Sequence, residues 1–227
     1  MELRYEIRRS TKRKKLTITV ERDRSVVVHA PSNVPEGAIR QLVDKKRSWL
    51  FEKLHHEQKY QPLPHPPGKE LVNGEAALYL GRSYRIELVD GENATIHFAG
   101  KFLIPRAHAR QRWQVLRQWY VERAREKILP RVRSHANSLG VEFEQANIND
   151  SRYRWGSCTP RNNLNFNWRL IKAPMFVIDY VIVHELAHLI EANHAPRFWN
   201  IVRAQLPAME RARDWLRDNG QRLEEEV

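Results

Sequence analysis

Residues 184–194 read HELAHLIEANH and hold three of the chain's ten histidines. In a helix His184 and His188 stand four apart, so both imidazoles leave one face and can converge on a single ion. Glu185 lies beside them, too close in sequence to be an easy third ligand and well placed to take a proton from water. Two ligands and a base on one helical turn make the H-E-x-x-H arrangement of metal-dependent hydrolysis. His194 comes after His188 at a distance that obliges the chain to turn back before it can join them. Asn193 suits a left-handed turn and Pro196 suits the start of a further helix, PRFWNIVRAQL, which sets His194 in a tight connection. Glu191, one helical turn beyond His188, competes for the place of third ligand. A helical Glu191 would leave His194 without a role, so His194 is preferred. Three histidines leave tetrahedral zinc one open position, the pattern of a catalytic site rather than a closed structural one. The plainer alternative is a set of solvated or core-satisfied histidines.

The elements around the cluster follow from pattern. Pro174 can start the helix, and nothing before Glu191 breaks it. Tyr180 falls one turn before His184, and Arg154 belongs to RWGSC (154–158). Either is a candidate donor to an oxyanion. Cys158 is either a fourth ligand that shuts the site or a small buried thiol. NLNFNWRL alternates, with Leu164, Phe166, Trp168 and Leu170 on one face and Asn163, Asn165, Asn167 and Arg169 on the other, as a half-buried strand does. Further upstream, residues 107–139 carry Trp113, Leu116, Tyr120, Ala124, Ile128, Val132 and Leu139 at helical steps. Gly140 should end this helix and Pro130 should kink or split it.

The first hundred residues read as β-rich with one helix. Leu3, Tyr5 and Ile7 alternate, as do Leu16, Ile18 and Val20, with the basic stretch RRSTKRKK placed as a hairpin connection between them. VVVHAP is a third strand. A helix from Pro35 follows, with Ile39, Leu42, Val43, Trp49, Leu50 and Leu54 on one stripe. QPLPHPPG (61–68) reads as a linker, and Asp90-Gly91 as the turn of a hairpin between two alternating runs. The division expected is a β-rich region over 1–100 and a catalytic region over 101–227, which can also form one continuous domain.

RWGSC, LNFNWRLIKAP (164–174), YVIVHELAHL (180–189) and NHAPRFW (193–199) resemble the YgjP-like metallopeptidases, zincins related to the SprT and WLM-type zinc proteases. IRRS, the V-V-V-x-A-P pattern and the helix around Trp49 extend the likeness over most of the chain. The resemblance implies an α+β fold: a small zincin with a mixed or antiparallel sheet, an active-site helix and an N-terminal β-rich part. It implies His184, His188 and His194 as ligands of one Zn2+ per chain and Glu185 as general base. It also implies that the strand before the active-site helix edges the cleft, where an extended peptide can add to it near Asn165 and Asn167. Ala195 departs from the pattern, which has a small hydroxyl residue capping the next helix; losing the cap costs ~1 kcal/mol and leaves the chemistry alone. Glu191 stands where metzincins have glycine, so this is no metzincin.

Composition bounds the function. The formal net charge is +12, and six Lys/Arg fall between Arg8 and Lys15, so a basic surface could meet nucleic acid. A solvated hairpin tip is the competing reading. The single cysteine excludes an intrachain disulfide and suits a reducing compartment. No secretory signal opens the chain. The apolar run from Met175 to Ile190 is broken by Asp179, His184, Glu185 and His188, too polar for a membrane span. The expectation is a cytoplasmic zinc hydrolase acting on peptide or protein. A nucleotide or phosphoanhydride hydrolase using the same metal is the alternative, weakened by the lack of a Gly-rich phosphate loop. A non-enzymatic, nucleic-acid-associated zinc module is the third, and it needs Cys158 to close the site.

Overall fold

Val26, Val27 and Val28 are all buried, and a continuous apolar run of this kind makes an inner strand. In the computed structural model, which describes residues 4–11, 13–20, 26–54, 70–90, 95–108, 111–151 and 154–224, β3 (Val26–Pro31) accordingly lies between β1 (Glu6–Ser10) and β2 (Thr17–Val20). It runs parallel to β1 and antiparallel to β2. The hairpin expected between the first two strands is therefore absent: they do not pair, because the valine run takes the covered central place. One helix was expected after Pro35; the chain forms two, α1 (Glu36–Lys45) and α2 (Arg47–Leu54). Ile39, Val43 and Leu50 pack with Val26, Val28 and Ala30 in a core of their own, while Trp49 is exposed. Contacts separate this unit, residues 1–65, from a second, residues 66–227. The Pro-rich stretch 61–68 lies outside the described residues.

The second unit opens with four strands, β4 (Ala76–Tyr79), β5 (Arg82–Val89), β6 (His97–Phe98) and β7 (Phe102–Pro105), in the order β4-β5-β7-β6. The runs on either side of Asp90-Gly91 are not hairpin partners. β5 pairs with β7 in parallel and β6 pairs with β7 antiparallel, and residues 91–94 lie outside the described residues. The tight turn is instead at Leu80-Gly81, with φ of 47° and 79°; two successive positive φ values match the twist of a hairpin. This turn meets the segment that leads to the histidines. Leu80 and Gly81 donate their N–H groups to the Ile171 and Lys172 carbonyls at 2.9 and 2.8 Å. A Cβ on Gly81 would stand 2.5 Å from Pro174 Cγ, so only glycine fits there.

The long helix α3 (Arg112–Leu139) buries Leu116, Trp119, Tyr120, Ala124, Ile128, Val132 and Ala136, and Gly140 ends it in the left-handed conformation, φ 67°. It runs on through Pro130, which the sequence marks as a break. Pro130 faces solvent while Ile128 and Val132 are fully buried, and that packing anchors the helix on both sides of the proline. Trp113 is 51% exposed, so the buried stripe begins at Leu116.

A second sheet, order β8-β10-β9, is made by β8 (Gln145–Asn149), β9 (Gly156–Cys158) and β10 (Asn163–Asn167). The strand read over NLNFNWRL stops at Asn167. Trp168–Lys172 wind into a 3-10 turn, begun by the Asn167 side chain accepting the Arg169 N–H at 3.0 Å. Then come α4 (Met175–Ala187), α5 (Pro196–Gln205) and α6 (Met209–Glu224). The architecture is α+β, and each of the three described sheets mixes parallel and antiparallel pairs. Among the described residues no helix is long and apolar enough to cross a membrane.

Candidate metal centre

α4 is buried nearly all round: Val177, Ile178, Tyr180, Val181, Ile182, Val183, Glu185, Leu186 and Ala187 are all covered. A helix apolar on every side belongs in the interior, and α4 packs against α3, α5, α6, β9 and β10. Its rotation is fixed by one polar grip. Asp179 accepts two hydrogen bonds from Arg131 of α3, both at 2.6 Å, and a third contact from His135 Nε2 at 3.2 Å. A fork-to-fork pair of this kind sets orientation as well as energy. Burial pushes the Asp179 carboxyl up, but the His135 and Arg131 hydrogen bonds outweigh it and hold the group below its ordinary range.

The helix stops at Ala187, with His188 as its C-cap, short of Glu191, to which the sequence pattern would carry it. A last turn follows, in which the Glu191 N–H still bonds the Ala187 carbonyl at 2.9 Å, but the Glu191 carboxylate does not join the histidine group. The Glu191 main-chain carbonyl instead lies 3.2 Å from His188 Nδ1. A carbonyl can only accept, so Nδ1 carries the proton and Nε2 keeps a free lone pair, the tautomer a metal ligand needs. Asn193 is not among the residues of positive φ, so the turn is made without a left-handed residue there. Pro196 does open α5, and Ala195 gives it no side-chain cap.

His184, His188 and His194 meet. Their ligand atoms lie within 4.8 Å of one another, and no other residue joins the group among those described. His184 Nε2 and His194 Nε2 stand 3.0 Å apart; two nitrogens at ~2.0–2.1 Å from a tetrahedral ion are separated by roughly 3.3 Å. His184 Nδ1 is buried without a hydrogen-bond partner among the described residues. Burial, reinforced by the two neighbouring imidazoles, drives the His184 pKa down to about 3. Burial and then His188 lower that of His194. Imidazoles converging from two segments fit a divalent metal ion of the zinc type.

Phe198 was not singled out from sequence. It is fully buried, and its ring lies 4.9, 4.6 and 4.7 Å from the rings of His184, His188 and His194. Trp199 stacks on His194 at 5.6 Å. These two aromatic residues form an apolar floor and wall for the cluster. Their place one turn into the helix after His194 was the available signal.

Glu185 is 7% exposed. Burial raises its pKa to about 7, against the lowering effects of a hydrogen bond from the Cys158 main chain and of the Arg154 charge. Tyr180 is buried, with its ring 5.9 Å from His184, and burial raises its pKa too. Arg154 is exposed and within electrostatic reach of Glu185. The Cys158 thiol donates to the Thr159 carbonyl at 3.6 Å and stays outside the histidine group. Asn167 is buried, and its amide donates to the Ser151 and Arg154 carbonyls at 2.7 and 3.4 Å. Asn165 reaches Ser157 Oγ at 3.5 Å. β10 has partners on both sides, β8 and β9, so strand addition at β10 is closed and the outer strand beside α4 is β9.

Three imidazoles with a buried carboxylate on the residue next to one of them are the equipment of a metal-dependent hydrolase. The model of the YgjP-like metallopeptidase domain matches residues 14–219, and the chain belongs to this family. Among solved structures, the metallopeptidase zymogen of Pyrococcus abyssi abylysin is similar at 19% identity, covering 38% of this chain and 86% of that one, with a TM-score of 0.35. The metallopeptidase zymogen of Methanocaldococcus jannaschii jannalysin is similar at 22% identity over 37% of this chain and 89% of that one, TM-score 0.33. No curated protein matches the chain.

Proposed function

We propose that this metallopeptidase uses one Zn2+ per chain, held by His184, His188 and His194, and that Glu185 is the general base. The observation that carries the reading is the convergence of three imidazole nitrogens within 4.8 Å beside a carboxylate on the adjacent residue. Zinc, when bound, supplies a Lewis acid that polarises a carbonyl and lowers the pKa of water towards ~7. Glu185 takes the proton of the attacking water and returns it to the leaving amine. Its raised pKa suits a group that must both accept and release a proton near neutrality. Tyr180, kept protonated by burial, and Arg154, a fixed positive charge, are the donors available to the developing oxyanion. The peptide substrate lies extended along the outer edge of β9, where main-chain groups remain unpaired by β10. The working compartment is the cytoplasm.

The closed-site alternative requires a fourth protein ligand, and Cys158 spends its thiol on Thr159. Nucleic-acid binding gains no support from the basic stretch: Arg8 pairs with Glu6, Arg9 donates to the Val34 carbonyl and Arg13 to Thr17.

The test combines metal analysis with cleavage of unfolded proteins. The wild type should contain zinc and cut, chelation should stop it, and zinc should restore it. Glu185→Gln should keep the zinc and lose about 10²–10⁴-fold in turnover. Full activity in that variant would remove Glu185 from the mechanism.

A further inference from the structure

β9 is three residues long, Gly156–Cys158, and its sequence, from the RWGSC motif, has no role in the proposed reaction beyond an edge for peptide. The antiparallel register sets Cys158 opposite Leu164, Ser157 opposite Asn165 and Gly156 opposite Phe166. Thr159 N–H bonds to the Asn163 carbonyl at 2.9 Å and Asn167 N–H to the Trp155 carbonyl at 2.8 Å. Hydrogen-bonded and non-hydrogen-bonded pairs alternate along such a ladder. The main-chain groups of Gly156 and Cys158 therefore face away from β10.

Gly156 completes the arrangement by what it lacks. A Cβ there would stand 2.6 Å from Glu185 Cγ, 2.8 Å from Oε1 and 2.9 Å from Cδ. Each of these is closer than carbon and oxygen atoms pack, and the side chain that would have to yield is itself buried. Any residue other than glycine at 156 must push the carboxylate off β9. A side chain confined by close packing has fewer rotamers open to it.

We propose that Gly156 is a positioning residue for Glu185, leaving room for its carboxylate in the orientation from which it serves the reaction. The proposal rests on the reading of Glu185 as general base. It differs from a general structural role for the glycine, because the three nearest atoms a methyl would meet all belong to Glu185.

A double-mutant cycle isolates that contact. In metal-free protein, Gly156→Ala should lower the melting temperature, and the same substitution in a Glu185→Ala background should lower it far less, since no Cγ remains for the methyl to meet. If Gly156→Ala alone does not fold, recovery of folding in the double variant supports the contact equally well. Equal losses in both backgrounds, or no recovery, overturn the proposal. In zinc-loaded protein acting on dye-quenched casein, Gly156→Ala should lower kcat about 100-fold with KM and zinc content unchanged, the scale of effect that misplacement by an ångström produces. Cleavage at the wild-type rate by a folded Gly156→Ala overturns it as well. Glu185→Gln measured alongside separates the two readings. An active Glu185→Gln ends the general-base assignment, whereas the metal-free cycle still decides whether Gly156 makes room for this side chain.

Discussion

Phe198 has no group that could bind a metal or move a proton, yet it touches every imidazole of the cluster. Removing it opens a cavity under all three rings. Phe198→Ala should cost about 3–5 kcal/mol of stability and weaken zinc binding, and Phe198→Leu should do less of both. Denaturant midpoints and competition with a chromophoric chelator measure the two effects. Wild-type zinc affinity in a folded Phe198→Ala would show that the floor does not hold the ligands. The contrast with the histidines explains what could be read in advance. His184, Glu185 and His188 were legible because a helix converts spacing into direction by a fixed rule. Phe198 was not, and neither was the contact of Gly156 with Glu185, since each arises only where α4 meets another segment. Glu191 was legible only as a competitor: its spacing put it near His188, but its carboxylate does not join the group, and His194 does.

At the scale of elements, the framework depends on two carboxylates that join segments. Asp150 follows β8 and is bonded by Arg117 of α3 at 2.8 Å, by Trp168 Nε1 at 3.0 Å and by Arg169. Burial raises its pKa, but the Arg169 and Arg117 hydrogen bonds prevail and hold it at about 2. Asp179 is also depressed. A carboxyl depressed by folding contributes stability that is complete above its unfolded value, near ~4, and is lost as pH falls through the folded value. The denaturant midpoint of the second unit should therefore fall between pH ~4 and ~2, and Asp150→Asn should flatten that fall. An unchanged slope in Asp150→Asn would mean other groups carry it. The turn at Gly81 gives a test without charge. Gly81→Ala combines a left-handed φ with a collision at Pro174 and should cost about 2 kcal/mol, roughly 4–8 °C in melting temperature. Strands were legible here as alternating runs, while their neighbours were not. β5 and β6 flank a plausible turn but both pair with β7, a choice made by burial across the sheet rather than by the turn residues.

The whole molecule has two cores, one of Val26, Val28, Ala30, Ile39, Val43 and Leu50, the other containing α3 and α4. Only the second unit contains the histidine cluster. A ligand stabilises the fold that binds it by mass action, about 2.7 kcal/mol at a hundredfold excess over Kd. Scanning calorimetry should accordingly show two transitions, of which only that of the second unit rises with zinc, by roughly 5–10 °C. A zinc-dependent shift in both transitions would mean that the units unfold as one. The contacts that build the second unit are also unevenly spaced along the chain. His184 and His194 are ten residues apart, while Arg131 to Asp179 spans 48 and Ser138 to Gln205 spans 67. The entropy of closing a loop grows with its length, and rates of folding fall as contacts become more distant in sequence. The loop that brings the imidazoles together is thus cheap to close, and the distant grips of α3 on α4 and α5 are the slow ones. A chain emerging in order from a ribosome can close the histidine loop as soon as residue 194 is free, before α5 and α6 exist to cover it.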